Sequence, residues 1–341
     1  MKALVLQASN QLEFLDWPSP EPGPGDVLVR VKACGICGSD VHGLDGSTGR
    51  RQPPVIMGHE ASGVIAGAGS GVKGWSQADR VTFDSTFYCG TCSSCCQGRI
   101  NLCEQRRVLG VSCDDYRHHG AFAEYVAVPA HLLHRLPDAV TFEQAAMVEP
   151  MSVALHAVRR SDLRGGETAV VIGAGMVGMF VVQCLRALGC ERVIAVDIDR
   201  DRLELAAKLG ASLTLDAEDL GEQIADYTQG RGADLAFEVV GVTSTLQTAI
   251  ECVTRGGRIV LVGNIAPRVE LPLQEVVTGE LTLVGTCASA GEIPECLELL
   301  ASGRVDADAL CSAAAPLSDG ASWFQRIIDK EPGLMKVILK P

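Results

Sequence analysis

The strongest constraint on the fold is a glycine-rich turn between an apolar strand and an apolar helix. The apolar run 170–172 leads into Gly173, Gly175 and Gly178, in the spacing G-x-G-x-x-G. Such glycines allow a tight turn, close approach of a pyrophosphate and close helix–strand packing, while the helix N-terminus supplies N–H groups. The residues predicted to contact a dinucleotide are Gly173, Gly175, Met176, Val177 and Gly178.

Apolar strand-like runs alternate with helical stretches over residues 151–290. Near-continuous apolar strands in this alternation predict an α/β domain with a doubly wound parallel sheet. The first 150 residues contain short β-like runs and many turns, which predicts a mainly β domain. The apolar ending 335–339 looks like a strand that could rejoin it. We therefore expect one domain over 1–150 plus 291–341, and a second over 151–290.

An acidic residue follows the second strand of the predicted sheet. Asp197 lies nineteen residues after Gly178, where a carboxylate accepts hydrogen bonds from ribose hydroxyls and repels a 2′-phosphate. This position predicts NAD rather than NADP as the cofactor, with a helix N-cap as the alternative role of Asp197. Arg202 either flanks the adenine or lies on a solvated helix face.

Four of the fourteen cysteines are closely spaced, at Cys89, Cys92, Cys95 and Cys103. Four thiolates can surround one Zn²⁺ tetrahedrally without leaving a position open, as structural zinc sites require. The spacing predicts a small lobe over 89–103 that is held together by metal, with a redox or incidental cysteine cluster as the alternative.

A second set of ligand-type residues is dispersed along the chain, at Cys37, His59, Glu60 and Glu149. Three protein ligands and one open position make a catalytic zinc site. Taken singly, each residue has another explanation: a core thiol, a turn histidine or an ion-paired carboxylate. Beside a dinucleotide site, the set indicates a metal-dependent oxidoreductase.

Together these motifs resemble the zinc-containing medium-chain dehydrogenases/reductases of the alcohol dehydrogenase superfamily, particularly the polyol (sorbitol-like) dehydrogenase branch. The resemblance covers essentially the whole chain and depends on G-I-C-G-S-D-V-H at 35–42, G-H-E at 58–60, the cysteine lobe, G-A-F-A-E-Y at 120–125, E-P at 149–150 and G-A-G-M-V-G at 173–178. It implies a Rossmann domain inserted after a GroES-like catalytic domain.

The resemblance also implies roles for the matching positions. Cys37 and His59 would ligate a catalytic zinc, and Glu60 and Glu149 are both candidates for its remaining positions. The four cysteines of the lobe would hold a second, structural zinc.

Four further residues receive roles in the same way. Ser39 would hydrogen-bond the substrate hydroxyl, and His42 would carry the proton onward. Asp40 would orient a zinc ligand. Lys336 matches a basic position that can reach the cofactor pyrophosphate, with a solvated strand end as the alternative.

Two departures from sorbitol dehydrogenases concern the substrate. Those enzymes usually carry a Tyr after the relay histidine and an Arg-Tyr pair near 281–287, where this chain has Gly43-Leu44 and Cys287-Ala288. In addition, Arg50 and Arg51 lie in the loop 46–51. They either contact a phosphorylated or acidic substrate or belong to a solvated loop.

The sequence thus predicts an NAD- and zinc-dependent enzyme that oxidises a secondary alcohol, such as a polyol, a sugar alcohol or its phosphate. The alternatives are a threonine- or butanediol-type dehydrogenase, or a zinc- and nucleotide-binding protein without turnover. A net charge of −13 disfavours nucleic acid and anionic membranes as partners. The many cysteines and the lack of a signal-like start indicate a cytoplasmic protein. The resemblance implies a homodimer or homotetramer.

Overall fold

The computed structural model describes residues 1–216 and 220–341, which form two compact units. The first unit comprises Met1–Glu149, Ile293–Ala301 and Ala307–Pro341; the second comprises Pro150–Glu292 and Ser302–Asp306. Compared with the expected domains, the second unit also contains the short segment Ser302–Asp306.

The strands of the described residues are, in chain order, β1 (Lys2–Ala8), β2 (Gln11–Asp16), β3 (Asp26–Gly35), β4 (Val55–Ile56), β5 (Glu60–Ala68), β6 (Arg80–Phe83), β7 (Thr86–Phe87), β8 (Arg107–Val108), β9 (Tyr125–Pro129), β10 (Leu133–Arg135), β11 (Thr168–Ile172), β12 (Arg192–Val196), β13 (Leu213–Leu215), β14 (Ala233–Glu238), β15 (Val253–Leu261), β16 (Thr282–Gly285), β17 (Cys311–Pro316) and β18 (Lys336–Lys340).

The α-helices follow the same order. They are α1 (Gly38–His42), α2 (Ser93–Cys96), α3 (Phe142–Ala146), α4 (Val148–Arg160), α5 (Met176–Ala187), α6 (Arg200–Lys208), α7 (Leu220–Tyr227), α8 (Thr243–Cys252), α9 (Leu273–Thr278), α10 (Ile293–Ala301) and α11 (Gly320–Ile328). Short 3₁₀ turns lie at Ile100–Leu102, Ala130–Leu132, Asp308–Leu310 and Leu317–Asp319.

The first unit is built around a mainly antiparallel sheet with strand order β10-β6-β5-β3-β18-β17, and β9 also pairs with β3. The unit also contains a smaller sheet with strand order β2-β1-β4. Its apolar core includes residues of β1 and the buried side chains of Phe83, Phe122 and Phe324. The C-terminal strand β18 pairs antiparallel with β3. This pairing confirms that the chain end rejoins the first domain.

The pairing of β3 with β5 positions the chemistry of this unit. Gly35, the last residue of β3, is directly opposite Glu60, the first residue of β5. The segments that leave these two strand ends carry Cys37 and His59. Residues separated by more than twenty positions are therefore brought to the same end of one sheet.

The second unit contains a sheet with strand order β13-β12-β11-β14-β15-β16, and every strand pair in it is parallel. All five residues of β11 are buried. Val170, Ile172, Ile194 and Val196 belong to one apolar core cluster. The doubly wound parallel sheet expected from the sequence is confirmed.

From β11 the chain adds β12 and β13 on one side of the sheet, and then β14, β15 and β16 on the other side. The order of the strands therefore reverses at β11. In open α/β sheets, ligands bind at such a switch point, outside the carboxyl ends of the strands. The glycine-rich turn follows β11, so the sheet topology places it at this point.

Residues 168–185 carry no charged side chain. They form β11, the glycine-rich turn and most of α5 rather than one long helix. Among the residues that the structure describes, no helix is long and apolar enough to cross a membrane.

Candidate active site

Three ligand-type side chains meet at the end of β3 and β5 in the first unit. A Cys37 Sγ, a His59 ring nitrogen and a Glu60 carboxylate oxygen all lie within 4.8 Å of one another. His59 and Glu60 are buried, and Cys37 is partly exposed. One sulfur, one nitrogen and one oxygen with a side open to solvent are a donor set that suits a catalytic zinc.

Two glycines make this meeting possible. A Cβ at Gly35 would lie 2.4 Å from Glu60 Oε2, so the carboxylate occupies space that any other residue would fill. Gly58 has φ +88, and a Cβ there would lie 2.8 Å from Phe122. The left-handed conformation and the close packing both require glycine before His59.

Asp40 is fully buried beside His59. Its Oδ1 lies 3.5 Å from His59 Nδ1 and accepts a hydrogen bond of 3.0 Å from Arg51. Burial alone would raise the pKa of Asp40, but His59 and Arg51 lower it to about 2. The carboxylate therefore stays charged, and a carboxylate at Nδ1 fixes the orientation of the ring, as metal-binding histidines require.

The charges beside His59 also act on its imidazole. Burial lowers the pKa of His59, but Asp40 and Cys37 raise it, and the net pKa lies well above its ordinary value. Anionic neighbours that stabilise a positive charge on this ring would equally stabilise a cation bound between them.

Lys336 pairs with the third ligand-type residue. Its Nζ donates to Glu60 Oε2 at 2.6 Å and to the Ile36 carbonyl at 2.9 Å. Both side chains are at most 3% exposed. The alternative of a solvated lysine at a strand end is therefore wrong, while its role toward a pyrophosphate stays a prediction.

Glu149 lies near the cluster of Cys37, His59 and Glu60 but is outside the group of ligand atoms that lie within 4.8 Å of one another. It begins α4 with Val148, and its Oε1 accepts a hydrogen bond of 3.4 Å from Ser85. Burial raises the pKa of Glu149 to about 7; Glu60 and Asp84 also raise it, whereas His59 and Lys336 lower it. In this conformation Glu60, not Glu149, is grouped with Cys37 and His59.

The two proposed relay residues lie on α1. Ser39 is exposed, and its Oγ donates to Cys37 Sγ at 3.4 Å. Cys37 is the N-cap of this helix, and its sulfur also accepts the Ser39 backbone N–H at 3.5 Å. His42 is exposed in the last turn, so the hydroxyl lies at the metal-type cluster and the imidazole faces solvent.

The loop arginines differ from each other. Arg50 is exposed, but Arg51 is only 4% exposed and is paired with Asp40. The expectation of a solvated loop is wrong for Arg51. Sequence reasoning missed this contact because a basic residue in a Gly- and Ser-rich loop is ordinarily solvated.

The four lobe cysteines form a second cluster in the first unit, with their sulfur atoms within 4.8 Å of one another. Backbone N–H groups donate to these sulfurs: those of Thr91 and Cys92 to Cys89 Sγ, and those of Cys89 and Gln105 to Cys103 Sγ. The donors to Cys89 lower the pKa of this thiol to about 6.

The sulfur spacing of this lobe fits a tetrahedral zinc. Cys89 and Cys95 Sγ lie 4.0 Å apart, and Cys92 and Cys103 Sγ lie 3.9 Å apart. Zinc–sulfur bonds of about 2.3 Å give a tetrahedron with edges of about 3.8 Å. The neighbouring Cys96 is exposed, and its Sγ donates to the Thr91 carbonyl.

The glycine-rich turn of the second unit has the geometry of a dinucleotide cradle. Gly173 has φ +97, and a Cβ at Gly178 would lie 1.8 Å from the Gly173 carbonyl oxygen. Gly175 is the N-cap of α5, and a Cβ there would meet no atom within 4 Å. Gly173 allows the turn, and Gly178 allows the close packing of the helix against it. Gly175 leaves open space at the N-terminus of α5, a twelve-residue helix whose first turn begins with Met176 and Val177.

Asp197 ties this turn to the neighbouring strand. Its Oδ2 accepts the Ala174 N–H at 2.7 Å, and its Oδ1 accepts the Asp199 N–H at 3.0 Å. The N-cap of α6 is Asp199, so the alternative role of Asp197 as that cap is wrong. Arg202 lies 3.9 Å from Asp197 and 3.6 Å from Asp199, and is therefore associated with these carboxylates.

A parallel sheet with a dinucleotide cradle and a unit with two zinc-type clusters define a zinc- and nucleotide-dependent dehydrogenase. A family model described as the alcohol dehydrogenase GroES-like domain matches residues 23–138, and another described as zinc-binding dehydrogenase matches residues 176–302. The chain belongs to this family of zinc-binding dehydrogenases.

This chain is similar to three proteins over nearly the whole length of each. The sorbitol dehydrogenase of Bacillus subtilis is 34% identical, over 100% of this chain and 97% of the relative. The structure of 2R,3R-butanediol dehydrogenase from Bacillus subtilis is 35% identical, with a TM-score of 0.90 and coverage of 100% and 99%. Galactitol-1-phosphate dehydrogenase from Escherichia coli is 27% identical, with a TM-score of 0.92 and coverage of 100% of both chains.

A variant of the cysteine lobe tests its assignment. We expect Cys92→Ser to remove one zinc per chain and to lower the Tm by about 5–10 °C, because opening a four-thiolate site removes folding energy. Metal content follows from elemental analysis after gel filtration, and the Tm from calorimetry. Cys96→Ser is the matched control, since this neighbouring thiol is exposed. Unchanged zinc content and Tm in Cys92→Ser would contradict the assignment.

Proposed function

We propose that the protein oxidises a secondary hydroxyl of a small polyol or sugar alcohol to a ketone, with NAD as the oxidant. The observation that carries the proposal is the meeting of Cys37, His59 and Glu60 beside the Ser39 hydroxyl. These ligand types suit a catalytic zinc, and a hydroxyl at the same position suits proton transfer from an alcohol.

Each residue has a distinct task in this proposal. Ser39 relays the proton: its Oγ accepts the proton of the substrate hydroxyl while its own hydroxyl proton is released toward exposed His42, which passes a proton to solvent. Asp40 keeps His59 oriented through Nδ1. Zinc, when bound by Cys37, His59 and a carboxylate, supplies a Lewis acid that lowers the pKa of the alcohol. NAD, when bound at the glycine-rich turn, supplies the hydride acceptor.

The polar surroundings of the site favour a substrate with several hydroxyl groups. Glu149 is a carboxylate where simple alcohol dehydrogenases often have a thiolate, and Ser85 bonds to it. A carboxylate accepts hydrogen bonds that a thiolate accepts poorly. Two of the relatives above, sorbitol dehydrogenase and galactitol-1-phosphate dehydrogenase, are named for polyol substrates, which agrees with this choice. Gly43 and Cys287 stand where sorbitol dehydrogenases usually have other residues, which argues against sorbitol itself.

The competing functions have weaker support. The butanediol-type alternative is supported by butanediol dehydrogenase of Bacillus subtilis, which is similar in both sequence and structure, and the threonine-type alternative has no specific observation in its favour. A binding protein without turnover has no need of Ser39 and His42. Arg51 is buried against Asp40, so of the two loop arginines only Arg50 faces solvent and could contact a phosphate group. We therefore favour an unphosphorylated substrate.

We also propose that the protein is a homo-oligomer in a reducing compartment such as the cytoplasm. The second unit exposes apolar side chains around α9, including Ile265, Leu273 and Val277, which are 63–65% exposed. Next to α9 in the chain is β16, the edge strand of the sheet. An exposed strand edge beside an apolar surface suits a two-fold interface. The compartment is supported by fourteen cysteines, among which ligand clusters require reduced thiols.

The substrate class is tested with a panel of polyols, polyol phosphates, 2,3-butanediol, threonine and simple alcohols. We expect the best polyol to exceed ethanol in kcat/KM by at least about 100-fold, because a site built for hydroxyl groups rejects substrates that lack them. NADH absorbance measures the rate. Cys37→Ala should be inactive and still folded, which controls for contaminating activity. Activity confined to primary alcohols or to threonine would defeat the polyol assignment.

The cofactor preference is tested at Asp197. We expect the wild type to favour NAD over NADP by at least about 100-fold in kcat/KM, because the 2′-phosphate would meet a carboxylate. Asp197→Ser should weaken NAD binding and narrow this ratio by about 10-fold or more. Asp201→Ser, which removes an exposed carboxylate from the first turn of α6, should leave the ratio unchanged. Equal kcat/KM for both cofactors in the wild type would refute the preference.

The oligomer is tested by charge insertion at α9. We expect Leu273→Lys with Val277→Lys to shift the mass measured by light scattering to that of a smaller species, because lysines in an apolar interface are costly to bury. Ile328→Lys, at a half-exposed apolar position of the first unit, is the control and should keep the wild-type mass. A wild type that is monomeric at micromolar concentration would disprove the proposal.

A further inference from the structure

Arg51 is a buried arginine whose guanidinium reaches the candidate catalytic residues. One terminal nitrogen donates to Asp40 Oδ1 at 3.0 Å and lies 3.5 Å from Ser39 Oγ. The other terminal nitrogen donates to the Arg50 carbonyl at 3.1 Å. A single side chain thus links the residue beside His59 to the residue that would accept the substrate proton.

The backbone around Arg51 is fixed by a neighbouring segment. Arg51 forms an isolated parallel β-bridge with Ser112. The Ser112 N–H donates to the Arg50 carbonyl at 3.1 Å, and the Gln52 N–H donates to the Ser112 carbonyl at 2.9 Å. The arginine therefore extends from a rigid base rather than from a free loop.

Gly43 provides the path for this side chain. A Cβ at Gly43 would lie 2.4 Å from Arg51 Cγ and 3.4 Å from Arg51 Cβ. The backbone of Gly43 has φ −87, which any residue can adopt. The need for glycine here thus comes mainly from the aliphatic part of Arg51, with the Ser39 carbonyl at 3.2 Å as a further neighbour.

We propose that Arg51 is a positioning residue of the reaction, which orients the Ser39 hydroxyl for proton transfer and holds Asp40 against His59. This inference rests on the proposed function and extends it to a residue outside the expected metal ligands. A guanidinium has donors only, so Ser39 Oγ accepts from it and keeps its second acceptor position for the substrate hydroxyl. The Ser39 hydroxyl proton is donated to Cys37 Sγ in the structure.

One terminal nitrogen of Arg51 serves both Asp40 and Ser39, while the other is anchored to the Arg50 carbonyl. Asp40 Oδ1 is shared between Arg51 and His59, so the anchored guanidinium favours the orientation in which the carboxylate faces the ring. Lysine offers a point charge on a flexible stem and lacks the second terminal nitrogen that anchors the guanidinium, so it does not hold both partners at fixed positions. The positive charge of Arg51 and the planar shape of its guanidinium therefore make contributions that replacement by lysine can separate.

The first experiment compares Arg51→Met, Arg51→Lys and the control Arg30→Met, in which an exposed arginine of β3 is replaced. Rates are followed with the best alcohol of the panel and NAD. Zinc loss to a chelator is followed separately, and the four-thiolate zinc serves as an internal reference phase. Calorimetry gives the Tm of each variant.

We expect Arg51→Met to lower kcat by about 10–100-fold, with a much smaller change in KM, and to accelerate one of the two zinc-loss phases by about 10-fold. Arg51→Lys should restore that phase to within about two-fold of the wild type but leave kcat reduced, since an ammonium without the anchor at the Arg50 carbonyl keeps its charge near Asp40 but does not fix the Ser39 hydroxyl. Arg30→Met should match the wild type. Values of kcat and zinc loss in Arg51→Met within two-fold of the wild type would overturn the proposal.

A double-mutant cycle protects the test against misfolding of Arg51→Met. Gly43→Ala should lower kcat when Arg51 is present, and should change it by less than about two-fold in an Arg51→Ala background, because the clash is removed. Additive effects would overturn the proposal. A wild type that oxidises no alcohol of the panel would defeat the proposed function, whereas the zinc-loss phases would still test the Asp40 contact.

Discussion

The candidate active site depends on the mutual pairing of buried ionisable groups at one end of the β3–β5 sheet. Asp40, Arg51, His59, Glu60 and Lys336 are each at most 7% exposed. A buried charge without a partner is destabilising, and removing one member of a buried pair costs about 3–5 kcal/mol. Each side chain is therefore held by its partner. Glu60 and Lys336 belong to β5 and β18, Asp40 belongs to α1, and Arg51 is fixed by its β-bridge to Ser112, so the ligand-type residues gain fixed positions from several elements of the first unit.

Glycines create the space that this network occupies. Gly35 admits the Glu60 carboxylate, Gly43 admits the Arg51 stem, and Gly58 allows the turn before His59. The second unit uses glycine in the same way, because Gly178 lets α5 approach the Gly173 carbonyl and Gly175 leaves open space. In both units, the absence of a side chain at these glycines determines where charged groups and ligands can lie.

Much of this arrangement could be predicted, because it is encoded over short distances in the chain. The G-x-G-x-x-G turn, the alternating strands and the four lobe cysteines each lie within a short segment. The contact between Lys336 and Glu60 joins residues 276 positions apart, and no local pattern encodes such a pairing. The assignment of the 335–339 run to a strand of the first domain is the only signal that could have placed Lys336 near Glu60. For Arg51, the polar loop sequence indicates solvent, and the structural cause of its burial is the small residue at Gly43.

The charge balance of the site links its architecture to its chemistry. Cys37, Asp40, Glu60 and Glu149 contribute four negative charges when ionised, and Arg51 and Lys336 contribute two positive charges. A neutral His59 leaves an excess of two negative charges among these groups, and buried Asp84, which also acts on Glu149, adds to an acidic excess that favours a divalent cation. Without such a cation, burial and the Glu60 carboxylate raise the pKa of Glu149 to about 7. A zinc ion would favour the ionised form of every acid around it. The two basic residues thus offset only part of the acidic charge, and the remainder favours a bound cation at this end of the sheet.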